Sequence, residues 1–155
     1  MQRYFEDFRI GELFRAPSKT LTDAHFLFFS GLTGDNHPIH YDVEYAKDTR
    51  FGRPLAHGLL LVALTALGAG ELSSSFEESI VAFVEQSARF LGPAFVGDTL
   101  HPELEVAALE PRRTTGLVSF TCRIRNQRGE TILEGQHKYI VRKRRPEGGD
   151  GPSGP

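Results

Sequence analysis

The stretch Gly58-Leu59-Leu60-Leu61-Val62-Ala63-Leu64-Thr65-Ala66-Leu67 decides the fold. It is apolar on nearly every side of a helix, and a helix of that kind is buried centrally rather than laid on a surface. The small residues Ala63, Ala66 and Gly68 would let a sheet approach it closely. We therefore predict one central helix over residues 58–67.

Four alternating segments follow this helix, at residues 80–90, 99–108, 114–125 and 130–142. Apolar and polar residues alternate in each of them with the period of a strand, and turn signals such as Gly92-Pro93 separate them. Strands connected in this way predict an α+β domain in which a curved antiparallel sheet wraps around the central helix. Upstream, Thr22 and Gly34 delimit a predicted helix over residues 23–33, and a second short helix is expected over 43–48.

Composition limits the partners and the compartment. The chain has 155 residues, enough for one domain, and its formal net charge is −2, so no global basic field is available to hold nucleic acid. The single cysteine, Cys122, cannot form an intramolecular disulfide, which favours a reducing compartment. The longest apolar run, residues 58–70, is shorter than the roughly 20 residues that cross a bilayer. We expect a cytoplasmic protein without a membrane partner, with a domain over residues 1–145 and a flexible tail over 146–155.

The loop Gly34-Asp35-Asn36-His37-Pro38-Ile39-His40 carries the candidate chemistry. A carboxylate and an imidazole on a loop stiffened by proline form a plausible acid–base pair, because the carboxylate takes a proton from water while the imidazole orients that water or returns a proton. The residues alone leave two other interpretations open. One is a surface loop whose aspartates cap helices, and the other is a metal site built from Asp35, His37, His40 and Asp42. Nothing else in the sequence completes a coordination shell, so we predict no metal.

This loop resembles the Gly-Asp-x-Asn-Pro-x-His motif of the MaoC-like (R)-specific enoyl-CoA hydratases. The resemblance covers roughly residues 4 to 143. It includes Tyr4 to Glu12, Ala56-His57-Gly58-Leu59, and Arg89 to Pro93 with Gly97 to Leu100. It implies the hotdog fold, and the reversible hydration of a 2-enoyl-CoA to an (R)-3-hydroxyacyl-CoA. Coenzyme A then enters as part of an acyl-CoA thioester substrate, and no separate cofactor is expected.

The same resemblance implies roles for individual residues. Asp35 corresponds to the catalytic aspartate and His40 to the catalytic histidine, while the backbone amide of Gly58 binds the thioester carbonyl. Asn36, His37 and His57 are expected beside the substrate. His37 stands where the family has asparagine, and we predict that it replaces the hydrogen bonds of that asparagine. Members of the family are typically homodimers, so we expect a homodimer or an assembly of dimers.

Two alternative functions are weighed against hydration. A hotdog thioesterase would direct water at C1 of the acyl group, but such enzymes usually carry their carboxylate on the central helix, and here no acid follows Gly58 until Glu71. A non-catalytic acyl-CoA-binding subunit would result if His37 distorted the loop. The presence of both Asp35 and His40 favours the hydratase over this second alternative.

Overall fold

The computed structural model describes residues 1–67 and 70–145, without the side chain of Glu71, so Gly68 and the predicted tail 146–155 lie outside the described residues. The helices are α1 Asp23–Thr33, α2 Val43–Lys47, α3 Gly58–Ala63 and α4 Glu71–Ser75, with single 3-10 turns at Phe5–Asp7 and Pro38–His40. The strands are β1 Leu13–Arg15, β2 Lys19–Thr20, β3 Ile80–Phe90, β4 Thr99–Pro111, β5 Thr115–Arg125 and β6 Thr131–Arg142. Among the described residues, no helix combines the length and the apolar character that spanning a membrane requires.

One antiparallel sheet organises the molecule, in the order β1-β4-β5-β6-β3, with β2 also paired to β4. The central strand β5 is buried continuously over residues 116–120, so both of its faces are covered. A simple meander would place β3 beside β4, but β3 pairs with β6, from Ile80 opposite Val141 to Phe90 opposite Leu133. Strand β3 therefore forms one edge of the sheet. The sheet curves around α3, and this arrangement confirms the predicted α+β hotdog architecture.

The core lies on the face of the sheet that the helices cover, in two neighbouring clusters. The first joins Phe8 and Phe76 to Val118 and Phe120 of β5. The second joins Leu60 and Leu61 of α3 to Phe26 of α1, and to residues of the sheet that include Leu100, Ile124 and Leu133. Every second residue of β5 points into this core: Val118, Phe120 and Cys122 belong to the first cluster and Ile124 to the second, as expected for one face of a strand. Helix α3 is thus held against the sheet by one side.

The predicted extent of the central helix is wrong. Helix α3 ends at Ala63, and the Thr65 hydroxyl donates to the Val62 carbonyl oxygen (2.6 Å) while lying 3.0 Å from Nε2 of His137. A hydroxyl that bonds to a nearby backbone carbonyl competes with helical hydrogen bonding, which accounts for the early end. The predicted central burial holds for Leu60 and Leu61 but not for Leu59, which is 67% exposed.

The N-terminal residues are tied into the same core. The backbone N–H of Arg3 donates to the Ser75 carbonyl oxygen, and the Ser79 hydroxyl donates to the carbonyl oxygen of Arg3 (2.6 Å). The side chains of Phe5 and Phe8 are buried in the first cluster. These contacts fix the start of β3 relative to α4.

Two buried histidines make stability depend on pH. Burial lowers the pKa of His137, and burial together with the charge of His40 lowers the pKa of His57. Below about pH 6.5, the pKa of histidine in an unfolded chain, the unfolded state binds more protons than the folded state, so stability is lost as the pH falls. We expect the melting temperature to decrease between pH 7.5 and pH 5.5, with each histidine contributing at most about 1.4 kcal/mol per pH unit.

The variant His137→Gln isolates one of these groups. A glutamine amide can still meet the Thr65 hydroxyl, and the variant should show a shallower decrease in melting temperature between pH 7.5 and 5.5. The exposed His101 provides the matched control, since His101→Gln should leave the pH dependence unchanged. Equal slopes for wild type and His137→Gln would contradict the assignment.

Candidate active site

The polar loop between α1 and α2 is a series of capped turns. Gly34 ends α1 in the left-handed region, with φ 76°, which glycine adopts without strain. Pro38 opens the 3-10 turn, and His37 caps it, since its Nδ1 accepts a hydrogen bond from the N–H of Ile39 (3.2 Å). The carboxylate of Asp42 accepts from the N–H of Tyr45 (3.0 Å) and caps α2. The backbone of the loop is therefore fixed on both sides of His40.

His37 makes the hydrogen bond that an asparagine side-chain oxygen also makes at a cap. We therefore expect His37→Asn to retain the fold and the turnover rate within a few-fold. His37→Ala removes the cap, which typically costs about 1 kcal/mol, and should lower both melting temperature and turnover. Thermal denaturation and steady-state kinetics on the two variants check this prediction. Equal losses in both variants would instead indicate that the imidazole itself is needed.

The structure brings Asp35, His40 and His57 together, with one side-chain oxygen or nitrogen of each within 4.8 Å of the others. Asp35 is exposed, His40 is half-buried and His57 is 2% exposed. Nδ1 of His40 lies 2.6 Å from the carbonyl oxygen of Leu55, which can only accept, so Nδ1 carries the proton. In the neutral ring this leaves Nε2 of His40 with the lone pair that exchanges protons.

His57 lies directly beneath His40. The two rings stack with centroids 3.8 Å apart and planes inclined by 21°, and Phe26 and Phe29 contact the His57 ring. Nε2 of His57 is 2.7 Å from the hydroxyl of Tyr41, whereas its buried Nδ1 has no hydrogen-bond partner among the described residues. Burial, together with the charge of His40, lowers the pKa of His57 and so favours its neutral form, and the His57 ring packs against that of His40.

Sequence reasoning missed Tyr41. Its hydroxyl lies 2.8 Å from the carbonyl oxygen of Asp35 and 3.2 Å from that of Phe26, in addition to its contact with His57. Tyr41 thus connects the loop, α1 and the start of α3. The only signal in the sequence is its position after His40. Asn36 is anchored in a similar way, because its side-chain oxygen accepts from the hydroxyl of Ser30 in α1.

Asp35, His40 and His57 also offer potential metal ligands. The geometry disfavours an ion, because ring lone pairs lie in the ring planes and the two stacked imidazoles cannot both direct theirs at one ion. Nε2 of His57 already contacts Tyr41, and His37 and Asp42 are engaged as caps. The absence of a metal stays a prediction, and the arrangement is suited to proton transfer.

Gly58 begins α3, immediately after His57. It lines a cleft of about 470 Å³ together with Phe51, Leu55 and Phe90, and a Cβ added at Gly58 would lie 3.2 Å from the Phe90 ring. His40 lines a second cleft, of about 410 Å³, with Phe26 and Arg53 among its other walls. Leu55 lines the Gly58 cleft and the adjacent Pro54 lines the His40 cleft, so the two clefts lie next to each other.

A curved antiparallel sheet packed around a short helix defines a hotdog-fold protein, and here a cluster of Asp35, His40 and His57 lies at the start of that helix. The model of the MaoC-like domain family matches residues 7–126, and the chain belongs to this family, as its sequence predicts. The chain is 34% identical over 119 residues to the (R)-specific enoyl-CoA hydratase of Aeromonas caviae, covering 77% of this chain and 85% of that protein.

Two further proteins show the same similarity. The chain is 30% identical over 141 residues to the 3-hydroxybutyryl-CoA dehydratase of Methylorubrum extorquens, covering 91% of this chain and 85% of that protein. A solved structure from Archaeoglobus, described as a monoamine oxidase regulatory protein, superposes with a TM-score of 0.86 at 36% identity. That alignment covers 93% of this chain and 97% of the other.

Proposed function

We propose that the protein catalyses the reversible addition of water to the C2–C3 double bond of a 2-enoyl-CoA, which forms an (R)-3-hydroxyacyl-CoA. One observation carries the proposal: Asp35 and His40 lie together on the loop, with Nε2 of His40 free to exchange a proton. The names of the relatives in Aeromonas caviae and Methylorubrum extorquens support the same reaction class.

In the proposed reaction a hydroxyl group is added to C3 and a proton to C2. The carboxylate of Asp35 takes one proton from water as the oxygen bonds to C3, and protonated His40 delivers a proton to C2. Proton exchange between the two residues restores the starting state, and the reverse sequence dehydrates the product. A positioned acid or base of this kind contributes about 10²–10⁴ in rate.

Negative charge develops on the thioester oxygen as water attacks. The first N–H groups of a helix lack partners within the helix, and the N–H of Gly58 is our candidate donor to this oxygen. Glycine also lets the thioester approach the backbone closely. Acid–base chemistry of this kind needs no cofactor, because side chains transfer the protons. Coenzyme A takes part only as a portion of the substrate.

Asn36, His37 and His57 support the pair in this proposal. His57 is 2% exposed and stacks under His40, His37 caps the turn that carries His40, and Asn36 anchors the loop to α1. Their expected places beside the substrate are compatible with these contacts, but we propose that their main role is to position Asp35 and His40.

We further propose a homodimer formed through the edge strand β3. An edge strand presents unpaired backbone groups to a second chain. The side chains of Val81, Phe83, Val84 and Phe90 are each about half exposed along this strand. Phe90 also lines the Gly58 cleft, so the proposed interface would border that cleft.

The test is incubation with crotonyl-CoA while enoyl-thioester absorbance and free thiol are both recorded. Hydration removes the absorbance without releasing thiol, and an (R)-specific 3-hydroxyacyl-CoA dehydrogenase oxidises the product. Release of thiol would instead show a thioesterase, a reaction for which α3 supplies no carboxylate within Gly58–Ala63. Tight binding of crotonyl-CoA without either change would show a binding subunit.

A further inference from the structure

The surroundings of the Tyr41 hydroxyl fix the direction of its hydrogen bonds. The hydroxyl oxygen lies 2.8 Å from the carbonyl oxygen of Asp35 and 3.2 Å from that of Phe26. It also lies 2.7 Å from Nε2 of His57. Carbonyl oxygens only accept hydrogen bonds, and a hydroxyl has one proton to donate. The Tyr41 proton is therefore directed at a carbonyl oxygen, and the hydroxyl oxygen accepts a hydrogen bond from Nε2 of His57.

These contacts determine which nitrogen of His57 carries the proton. Nε2 also lies 3.3 Å from the carbonyl oxygen of Asp35, which is a second acceptor. A neutral imidazole has one N–H group, so Nε2 carries the proton and Nδ1 holds a lone pair. His57 is 2% exposed, and its buried Nδ1 has no hydrogen-bond partner among the described residues.

A comparison with His37 shows that the imidazole of His57 is turned away from its own helix. Both histidines precede a helical turn with nearly the same backbone conformation, at φ −61° and ψ 133° for His37 and φ −61° and ψ 135° for His57. Nδ1 of His37 accepts a hydrogen bond from the N–H of Ile39 (3.2 Å), whereas the side chain of His57 forms no capping hydrogen bond. The ring of His57 is directed at Tyr41 instead of at α3.

A second proton on His57 would be poorly accommodated. A cationic imidazole has an N–H group at both nitrogens, and the one at Nδ1 would be a charged donor buried without an acceptor. The ring also stacks on His40 with centroids 3.8 Å apart, so two cationic rings would repel each other. Helix α1 contributes the uncharged rings of Phe26 and Phe29. The charge of Asp35 favours the cation, but burial and the charge of His40 lower the pKa of His57.

We propose that Tyr41 is a positioning residue of the hydration reaction: its hydroxyl holds His57 as a neutral ring with the proton on Nε2, so that His40 is the imidazole that carries the transferable proton. In this role the hydroxyl contacts no reacting atom and acts through His57. It also binds the backbone of Asp35, and so it connects both members of the acid–base pair. The inference rests on the proposed hydratase function, to which it adds the group that decides where the proton resides.

Nuclear magnetic resonance of the protein labelled with nitrogen-15 histidine locates these protons without any substrate. At pH 7.5 the wild type should show His57 with a protonated Nε2 and an unprotonated Nδ1. At about pH 6.5, where an unperturbed histidine is half protonated, His57 should remain mostly neutral. The signals of His57 are assigned by their loss in His57→Gln. A proton on Nδ1 at pH 7.5, or a His57 ring that is mostly cationic at pH 6.5, would overturn the proposal.

The variant Tyr41→Phe removes the hydroxyl and keeps the ring. It should lower kcat for crotonyl-CoA by about tenfold or more and change KM by less than about threefold, because the lost hydrogen bonds hold the acid–base pair and not the substrate. The resonance of the His57 Nε2 proton should move upfield, since its hydrogen bond to the hydroxyl is lost. Tyr45→Phe removes an exposed hydroxyl from the neighbouring helix α2 and is the matched control, which should change neither kcat nor this resonance.

The outcomes distinguish this inference from the proposed function. If the wild type does not hydrate crotonyl-CoA, the proposed function fails, and the spectra still locate the proton of His57. If the wild type is active and Tyr41→Phe retains its kcat, this inference alone fails. It also fails if kcat falls while the resonance of the His57 Nε2 proton stays in place, because Tyr41 would then support the fold without acting through His57. Should Tyr41→Phe not fold, the wild-type spectra at the two pH values decide.

Discussion

Replacing Asp35 by asparagine is expected to lower kcat/KM for crotonyl-CoA hydration by about 10²–10⁴. The amide is nearly isosteric, but it cannot accept the proton of the attacking water. The side chain is exposed, so the melting temperature should change by little. The loss of enoyl-thioester absorbance measures the rate. Asp48→Asn, an exposed carboxylate at the end of α2, is the matched control and should retain full activity. A loss below about tenfold in Asp35→Asn would remove Asp35 from the mechanism.

Replacing His40 by glutamine should cost about 10²–10⁴ in kcat/KM, because the ring nitrogen that exchanges protons is lost. A glutamine amide can still donate to the Leu55 carbonyl oxygen, which keeps the loop in place. If Asp35 and His40 act as one unit, the double variant should be no slower than the slower single variant. Stopped or steady-state assays on the three variants measure this. Losses that multiply would show that the two residues act independently.

Local features of the fold were predictable because they depend on neighbouring residues. Thr22 and Gly34 delimit α1 at Asp23–Thr33 as predicted, and the alternation of residues 80–90 gives the bounds of β3. Features that depend on distant residues were not predictable. Helix α3 ends early, next to Thr65, whose hydroxyl lies within hydrogen-bond distance of His137, 72 positions away in the sequence. Strand β3 pairs with the last strand, β6, rather than with β4, the next strand in the chain.

The candidate site shows the same division. A motif of seven residues placed Asp35 and His40 on one loop, and the structure brings them together. The buried position of His57 could not be predicted from the sequence, because its stacking on His40 requires α3 to pack beside the loop. Tyr41 was missed for the same reason, because its three contacts join segments that only the folded chain brings together.

The pairing of β3 with β6 has a consequence for synthesis on the ribosome. The complementary strand ends at Arg142, about fifty residues after β3 itself. At typical elongation rates of about 5–20 residues per second, β3 emerges several seconds before that strand is complete. During this interval its apolar side chains Phe83, Val84 and Phe90 are available to other nascent chains. Yield in cells should therefore depend on how quickly translation proceeds between β3 and β6, and on chaperones that shield an unpaired strand during that time.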